Sequence, residues 1–378
     1  MKAIINGRII TLEGILQHHA VIFEDRIKGI VREEELGKFP VLERIDAAGR
    51  YVSPGFIDVH VHGCNGFDTM DEDEQALAAI REAVLQTGVT AFLPTTMTMP
   101  FARIERSLKQ IRQAMQEGRG AEVLGCHMEG PFIHEAYKGA QDKKYITLPD
   151  MAKIEPYLDC IRIITIAPET KDSRAFIQKC VQKGVVVSIG HSSATYEQGM
   201  EAIQAGVSHM THTFNALPPL HHRLPGAIGA AMDSDIVCEL IVDNLHVHPA
   251  MQRILLKVKG LDKIILVTDA MRASLLGDGE YDLGGQNVTV KDGEARLASG
   301  VIAGSILTLN QAVRNFIKNT GISLADAVRL VTLNPARQVK AEQDKGSIEV
   351  GKHADLILFN DEIEVSAAFV KGNLLFRR

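Results

Sequence analysis

Tryptophan is absent from the 378 residues, and by itself that excludes nothing. Other absences exclude more. No basic block occurs, and the formal net charge is −6. A nucleic-acid footprint needs a positive patch, so no nucleic-acid partner is expected. No apolar run approaches the roughly 18 residues that a membrane-spanning helix requires. The first residues carry Asn6, Arg8 and Glu13 where a secretory signal needs an unbroken apolar stretch. The five cysteines, at 64, 126, 160, 180 and 238, are odd in number and form no CxxC pair. Free buried thiols in a reducing compartment are the simplest reading. Together these points predict a cytoplasmic protein with neither a membrane nor a nucleic-acid partner.

What is present is an ordinary globular composition, 46% hydrophobic and 23% charged, sufficient for a large core. Residues 1–53 read as short strands. Ala3-Ile4-Ile5, Ile9-Ile10-Thr11 and Ala20–Phe23 are separated by Asn6-Gly7 and Glu13-Gly14. Residues 341–378 read the same way, with Ala354–Phe359 and Ala368-Phe369-Val370 before the turn at Lys371-Gly372-Asn373. The economical arrangement is a small, sandwich-like β domain built from 1–53 plus 341–378, with 54–340 inserted into it.

The inserted stretch alternates strands and helices. Its strand candidates are Phe56–His62, Val89–Thr95, Val123–Glu129, Ile163–Ala167, Val185–His191, His209–Phe214, Val237–Val242 and Lys263–Asp269. Amphipathic helices fall between most of them. Leu77, Ile80 and Val84 line one, opened by Asp71 with Glu74 three residues on. Ile104, Leu108, Ile111 and Met115 line another. A third starts at Thr195 with Gln198 and stops at Gly206. Eight alternations predict the α/β class and a closed (β/α)8 barrel of the TIM type. Tyr281–Leu297 reads as a β insertion after the last barrel strand.

Polar residues collect where these strands end, which is the end at which barrel enzymes build their sites. His60 and His62, at i and i+2 of one strand, face the same way and can share a cation. Glu129 offers an anionic oxygen able to bridge two cations, and His191 and His212 complete a second position. Imidazole and carboxylate suit zinc and related divalent metals. Asp269 is placed to orient a water molecule and take its proton. One His at a strand end is more often a cap or a core residue than a ligand. Five candidate ligands and an aspartate on five strand ends are hard to attribute to packing, because a barrel interior prefers Val, Ile and Leu. His127 lies deeper, and a structural role is expected there, as for His134, His209 and His248. Cys64 and Cys126 lie near the candidate ligands, but other residues in each segment are better placed, so both read as packing residues.

Phe56–Gly63 after Pro54-Gly55 resembles the first-strand signature of the amidohydrolase superfamily, and Gly351–Leu356 resembles its C-terminal return strand. His127–Phe132, Gly190–Thr195, Thr211–Ala216 and Val267–Ala270 are similar to motifs of that superfamily's amino-sugar-phosphate deacetylases, nearly end to end. The resemblance implies hydrolysis of N-acetylglucosamine 6-phosphate to glucosamine 6-phosphate and acetate, with the galactosamine epimer as the alternative. It implies one or two divalent ions per subunit: zinc first, with iron, manganese or cobalt as alternatives. Glu129, His191 and His212 would hold the principal ion, and the presence of both His60 and His62 makes a second plausible. Asp269 would be the acid–base residue. Asn215, Ala216 and His246 would contact the sugar phosphate. Arg223 would reach the phosphate across a homodimer interface, a task that suits its forked guanidinium. Gln141 stands where some members carry a histidine that polarises the carbonyl, and its amide is a candidate donor. Strand four ends in Ala167-Pro168-Glu169 without the lysine that cyclic-amide hydrolases of the superfamily use, which disfavours that branch. A dipeptidase or deaminase fits the middle motifs poorly, and a non-catalytic barrel would be expected to have lost ligands.

Overall fold

The computed structural model describes residues 1–73 and 75–378. Eight parallel strands form its centre: β1 (Phe56–Val61), β2 (Val89–Thr96), β3 (Cys126–Glu129), β4 (Ile161–Ile166), β5 (Val186–Ile189), β6 (His209–Met210), β7 (Val237–Ile241) and β8 (Ile264–Val267). Each pairs with the next. Runs such as Ile264-Ile265-Leu266-Val267 are apolar on both faces because helices cover one side and the barrel interior the other. The ring is nearly closed by bonds just beyond the strand ends. The Asp269 amide donates to the His60 carbonyl at 2.9 Å and the His62 amide to the Ala270 carbonyl at 2.8 Å. The Thr268 hydroxyl donates to the buried Asp58 carboxyl at 2.6 Å across the same seam.

Several strands are shorter than their sequences suggested, among them β3, β5, β6 and β8. The stretch from 123 is interrupted before β3, where Gly125 adopts φ 146°, and a Cβ there would stand 2.6 Å from the Cys160 carbonyl oxygen. β6 stops at Met210 because the chain turns out of the sheet, with positive φ at His212 and Phe214.

The helix at Phe101–Ala114 buries Ile104, Leu108 and Ile111. Thr195 and Gln198 form a reciprocal capping box at the start of Tyr196–Ala205, which ends at Gly206 in the left-handed conformation. The helix carrying Leu77 and Ile80 is described from Ala76, and the expected role of Glu74 in opening it lies outside the described residues. No helix among the described residues is long and apolar enough to cross a membrane.

Strands from the two ends of the chain share one sheet. Tyr51–Pro54 pairs in parallel with Arg8–Thr11 on one side and antiparallel with Leu356–Phe359 on the other. A second sheet joins Lys2–Ile5, His19–Phe23, Ile27–Arg32 and Glu43–Asp46. Ile4, Val21 and Phe23 of that sheet pack with Val52, Leu356 and Phe369 of the other, and the Phe23 and Phe369 rings meet edge to face at 5.8 Å. Gly279–Leu283, Gln286–Lys291 and Glu294–Leu297 form a three-stranded meander beside the barrel mouth.

Candidate metal centre and active site

The ends of β1, β5 and β6 converge on one carboxylate at the end of β3, and Asp269 after β8 joins them through His60 and His62. Glu129, the last residue of β3, is buried, and its Oε1 lies 3.1 Å from Nε2 of both His191 and His212. Those two nitrogens are 3.1 Å from each other. The second oxygen, Oε2, lies 3.3 Å from His62 Nε2, and His60 Nε2 is 3.6 Å from Oε1. Asp269 Oδ1 is 3.3 Å from His62 Nε2 and 3.4 Å from His60 Nε2. His191, His212 and Asp269 sit beyond their strands with φ of 49°, 28° and 48°. This sparsely populated backbone turns each side chain back over the mouth of the barrel, and strain of this kind collects at functional sites.

The donor set fits a divalent cation. Imidazole nitrogens that face each other at hydrogen-bond distance need a proton or a metal between them. His60 Nε2 is buried and has no hydrogen-bond partner. His60, His62 and Glu129 form one group able to hold an ion, and Glu129, His191 and His212 form another. Without a cation, protons take its place. Burial alone would push His60 down, but the carboxylates of Asp269, Glu239 and Glu129 raise it to about 9. His62 is likewise carried well above its ordinary value, against burial, by hydrogen bonds to Asp269 and Glu129. Burial pushes the Glu129 carboxyl up, but the charges of His191 and His60 outweigh it and hold it well below the usual range.

Neighbouring groups fix each ligand. The His191 Nδ1 donates to the Tyr137 carbonyl at 2.9 Å, leaving Nε2 toward Glu129. Glu169, at the end of β4 where no lysine stands, accepts from the Ser192 hydroxyl at 2.7 Å and so braces the turn that carries His191. Gln141 is buried at the same centre. Its amide donates to Glu129 Oε2 at 2.7 Å and its carbonyl accepts from the Thr98 amide at 2.7 Å. One of the two amide hydrogens of the expected donor is therefore engaged with the carboxylate it sits beside.

A cavity of about 250 Å³ opens above these groups. His246, Asn215 and Ala216 line it on one side, and Leu283 and Ile302 on the side of the meander. His246 Nδ1 donates to Asp243 Oδ2 at 2.6 Å, which directs Nε2 away from that carboxylate. No arginine or lysine is among the described residues lining the cavity, and Arg223 lies on the exposed stretch 219–224.

The histidines expected to be structural are engaged away from the centre. Both ring nitrogens of His127 are used, on the Val59 carbonyl at 3.0 Å and the Thr165 hydroxyl at 2.7 Å, and burial pushes its pKa down to about 3. His134 and His248 accept backbone amides at helix starts. Burial pushes the Cys64 thiol up to about 12 and Cys126 well above its ordinary value, which makes both poor thiolates. One residue escaped the sequence reading. Glu239, fully buried in β7, contacts His60, His209 and His212. Its signal was a lone carboxylate inside the apolar run Val237–Val242.

A nearly closed barrel with histidines and carboxylates at the C-terminal ends of its strands defines a hydrolase scaffold of the metal-dependent kind. Residues 51–375 match the amidohydrolase family, and the chain belongs to it. It is 40% identical over 339 residues to an N-acetylglucosamine-6-phosphate deacetylase of Lysinibacillus sphaericus, covering 88% of this chain and 87% of that one. It is 36% identical over 373 residues to an N-acetylgalactosamine-6-phosphate deacetylase of Escherichia coli O157:H7, covering 97% of each. The crystal structure of N-acetylglucosamine-6-phosphate deacetylase from Pasteurella multocida superposes with a TM-score of 0.94 at 34% identity, covering 99% of both chains.

Proposed function

We propose that this protein removes the acetyl group from N-acetylglucosamine 6-phosphate, releasing glucosamine 6-phosphate and acetate. The observation that carries the reading is the convergence of His60, His62, His191 and His212 on Glu129 at 3.1–3.6 Å, with Asp269 3.3–3.4 Å from His62 and His60. Glu129, His191 and His212 would hold the principal divalent ion, and His60 and His62 with Glu129 could hold a second. Zinc is the first choice for this nitrogen-rich set, with iron, manganese and cobalt admitted by the same donors. When bound, the cation acidifies a water molecule and polarises the acetyl carbonyl, supplying a nucleophile near neutral pH.

The chain's own residues supply the rest. Asp269 takes the proton of the attacking water as the new C–O bond forms at the acetyl carbon. It gives that proton to the sugar nitrogen as the C–N bond breaks, because an amine leaves poorly as an anion. One carboxylate serves both steps since the proton only passes through it. One N–H of the Gln141 amide orients Glu129, and the other, on a residue that lines the cavity, can serve the substrate. His246, held by Asp243, presents Nε2 toward the cavity and supports the oxyanion when it carries a proton there. Asn215 and Ala216 bound the sugar. Among the described residues no arginine or lysine lines the cavity, and the resemblance to the family implies that Arg223, exposed in one protomer, reaches the phosphate across a homodimer interface. The five free cysteines fit a cytoplasmic setting.

The test is acetate release from N-acetylglucosamine 6-phosphate, from its galactosamine epimer and from the unphosphorylated sugar, before and after chelation with metal add-back. Fast release that needs both phosphate and metal is expected, with the glucosamine epimer preferred. Equal or faster release from the galactosamine epimer would move the assignment to that substrate. No release from metal-loaded protein would overturn the reaction.

A further inference from the structure

Beneath the site, Glu239 on β7 joins groups on β1, on β6 and in the turn after β6. Its Oε2 lies 2.9 Å from His60 Nδ1 and 3.0 Å from the backbone amide of His212. Its Oε1 lies 2.9 Å from His209 Nε2. The side chain is fully buried, and burying a carboxylate is unfavourable unless every oxygen is engaged. Here both are, and two of the three donors belong to residues of the proposed metal centre. Because the carboxylate accepts at Nδ1, His60 keeps its proton there and presents Nε2, the buried atom without a partner, toward Glu129 and Asp269. The same oxygen pins the backbone that holds His212 at its positive φ of 28°.

We propose that Glu239 is a positioning residue for metal binding, fixing the His60 ring so that Nε2 faces the ion shared with His62 and Glu129, and tying that half of the centre to the His212 half. The inference rests on the proposed reading of these residues as metal ligands. Around Glu239, His209 supplies a second donor, while His127 Nδ1, 3.9 Å away, donates instead to the Val59 carbonyl. Neither nitrogen of His127 remains to take over the role at His60.

Glu239→Gln preserves size. Its carbonyl oxygen can still face His60 and His212 only if its amide group faces His209, which must then move its own ring proton to Nδ1, a buried atom with no partner. The competing arrangement turns the amide toward His60 and moves the His60 proton to Nε2, where it blocks an ion. The experiment is zinc binding to chelator-stripped protein by competition with a chromophoric chelator, for wild type, Glu239→Gln, His60→Ala and the double variant, with thermal melts of the zinc-free proteins alongside. The expected result is a 10- to 100-fold weaker affinity at one of the two ions in Glu239→Gln, a zinc-free melting midpoint close to wild type, and little further loss when the substitution is added to His60→Ala. Wild-type affinity in Glu239→Gln overturns the proposal, and so does full additivity with His60→Ala. A wild-type protein that binds no zinc overturns the metal reading itself. If Glu239→Gln does not fold, nitrogen NMR of the histidine rings in zinc-loaded wild-type protein decides: a proton on His60 Nδ1 supports the proposal, and a bare Nδ1 overturns it.

Discussion

Replacing Asp269 with asparagine isolates proton transfer from everything else in the site. Asparagine has the size of aspartate and is among the few side chains that tolerate left-handed backbone, which matters because residue 269 has φ 48°. The backbone here is held independently of the carboxylate: the 269 amide donates to His60 at 2.9 Å and its carbonyl accepts from Ser305 at 2.8 Å. The fold is therefore expected to survive, with a thermal midpoint near that of wild type. Glu129, His191 and His212 lie on other strands, so the principal ion is expected to stay. General acid–base catalysis contributes about 10²–10⁴-fold, equivalent to about 2.7–5.4 kcal/mol of barrier. Because the one carboxylate acts in both steps, the upper part of that range, a loss of about 10³–10⁴-fold in kcat, is expected. KM should change little, since no sugar contact is removed. The assay is acetate release by metal-loaded Asp269→Asn at saturating substrate, with metal content measured on the same sample. A kcat within tenfold of wild type, at full metal content, would refute the proton-shuttle role.

Three further outcomes follow from the same geometry. His191→Ala removes one of two nitrogens that meet at 3.1 Å, and elemental analysis should show loss of the principal ion; unchanged content would take His191 off the ligand set. Arg223→Ala should raise KM for the phosphorylated sugar at least tenfold and leave release from the unphosphorylated sugar unchanged, whereas equal effects on both substrates would remove Arg223 from phosphate recognition. Lys345 is buried between Asp355 and Glu122, 2.6 Å from the latter, and Lys345→Met removes the cation from both while Glu122 keeps Lys371 at 3.1 Å and Asp355 keeps the Lys371 amide at 2.7 Å, so the loss near pH 7 is expected at the lower end of about 3–5 kcal/mol. Burial lowers the Lys345 pKa but the charges of Asp355 and Glu122 raise it more, so its contribution is present at neutral pH and is lost as pH rises through that raised value. Burial raises Glu122 but the Lys345 charge lowers it more, so its contribution disappears as pH falls through its depressed value. Denaturant melts of wild type and variant should consequently converge toward acid pH, and a gap that persists undiminished at pH 3 would contradict the pairing.

The barrel was legible in the sequence because its signals are local. Apolar runs of strand length separated by amphipathic stretches, as at Ile161–Ile166 and the helix after it, reveal their class without knowledge of neighbours. The candidate residues were legible because each stands where an apolar run stops. The conformations that bring them together were not. His191, His212 and Asp269 point into the site through left-handed backbone, and nothing about a non-glycine residue announces that conformation. Gln141 reads as a free amide in one dimension and is found bonded to Glu129, because its partner comes from a different strand. Glu239 was passed over for a similar reason. A carboxylate inside an apolar strand is visible, but the three donors that make its burial tolerable come from β1, β6 and the turn after β6.

The sheet that joins the two ends of the chain sets an order of events during synthesis. Tyr51–Pro54 has Arg8–Thr11 beside it early, but its other edge is completed only when Leu356–Phe359 has been made. At roughly 5–20 residues per second, that edge stays open for about 15–60 s while the whole barrel emerges. An open strand edge is a template for pairing with another chain. The nascent protein thus passes through a stage in which its catalytic half is complete and its supporting half is unfinished and adhesive. Slowing translation late in the message, or truncating it before residue 356, should raise the demand for chaperones far more than an equal delay within the barrel.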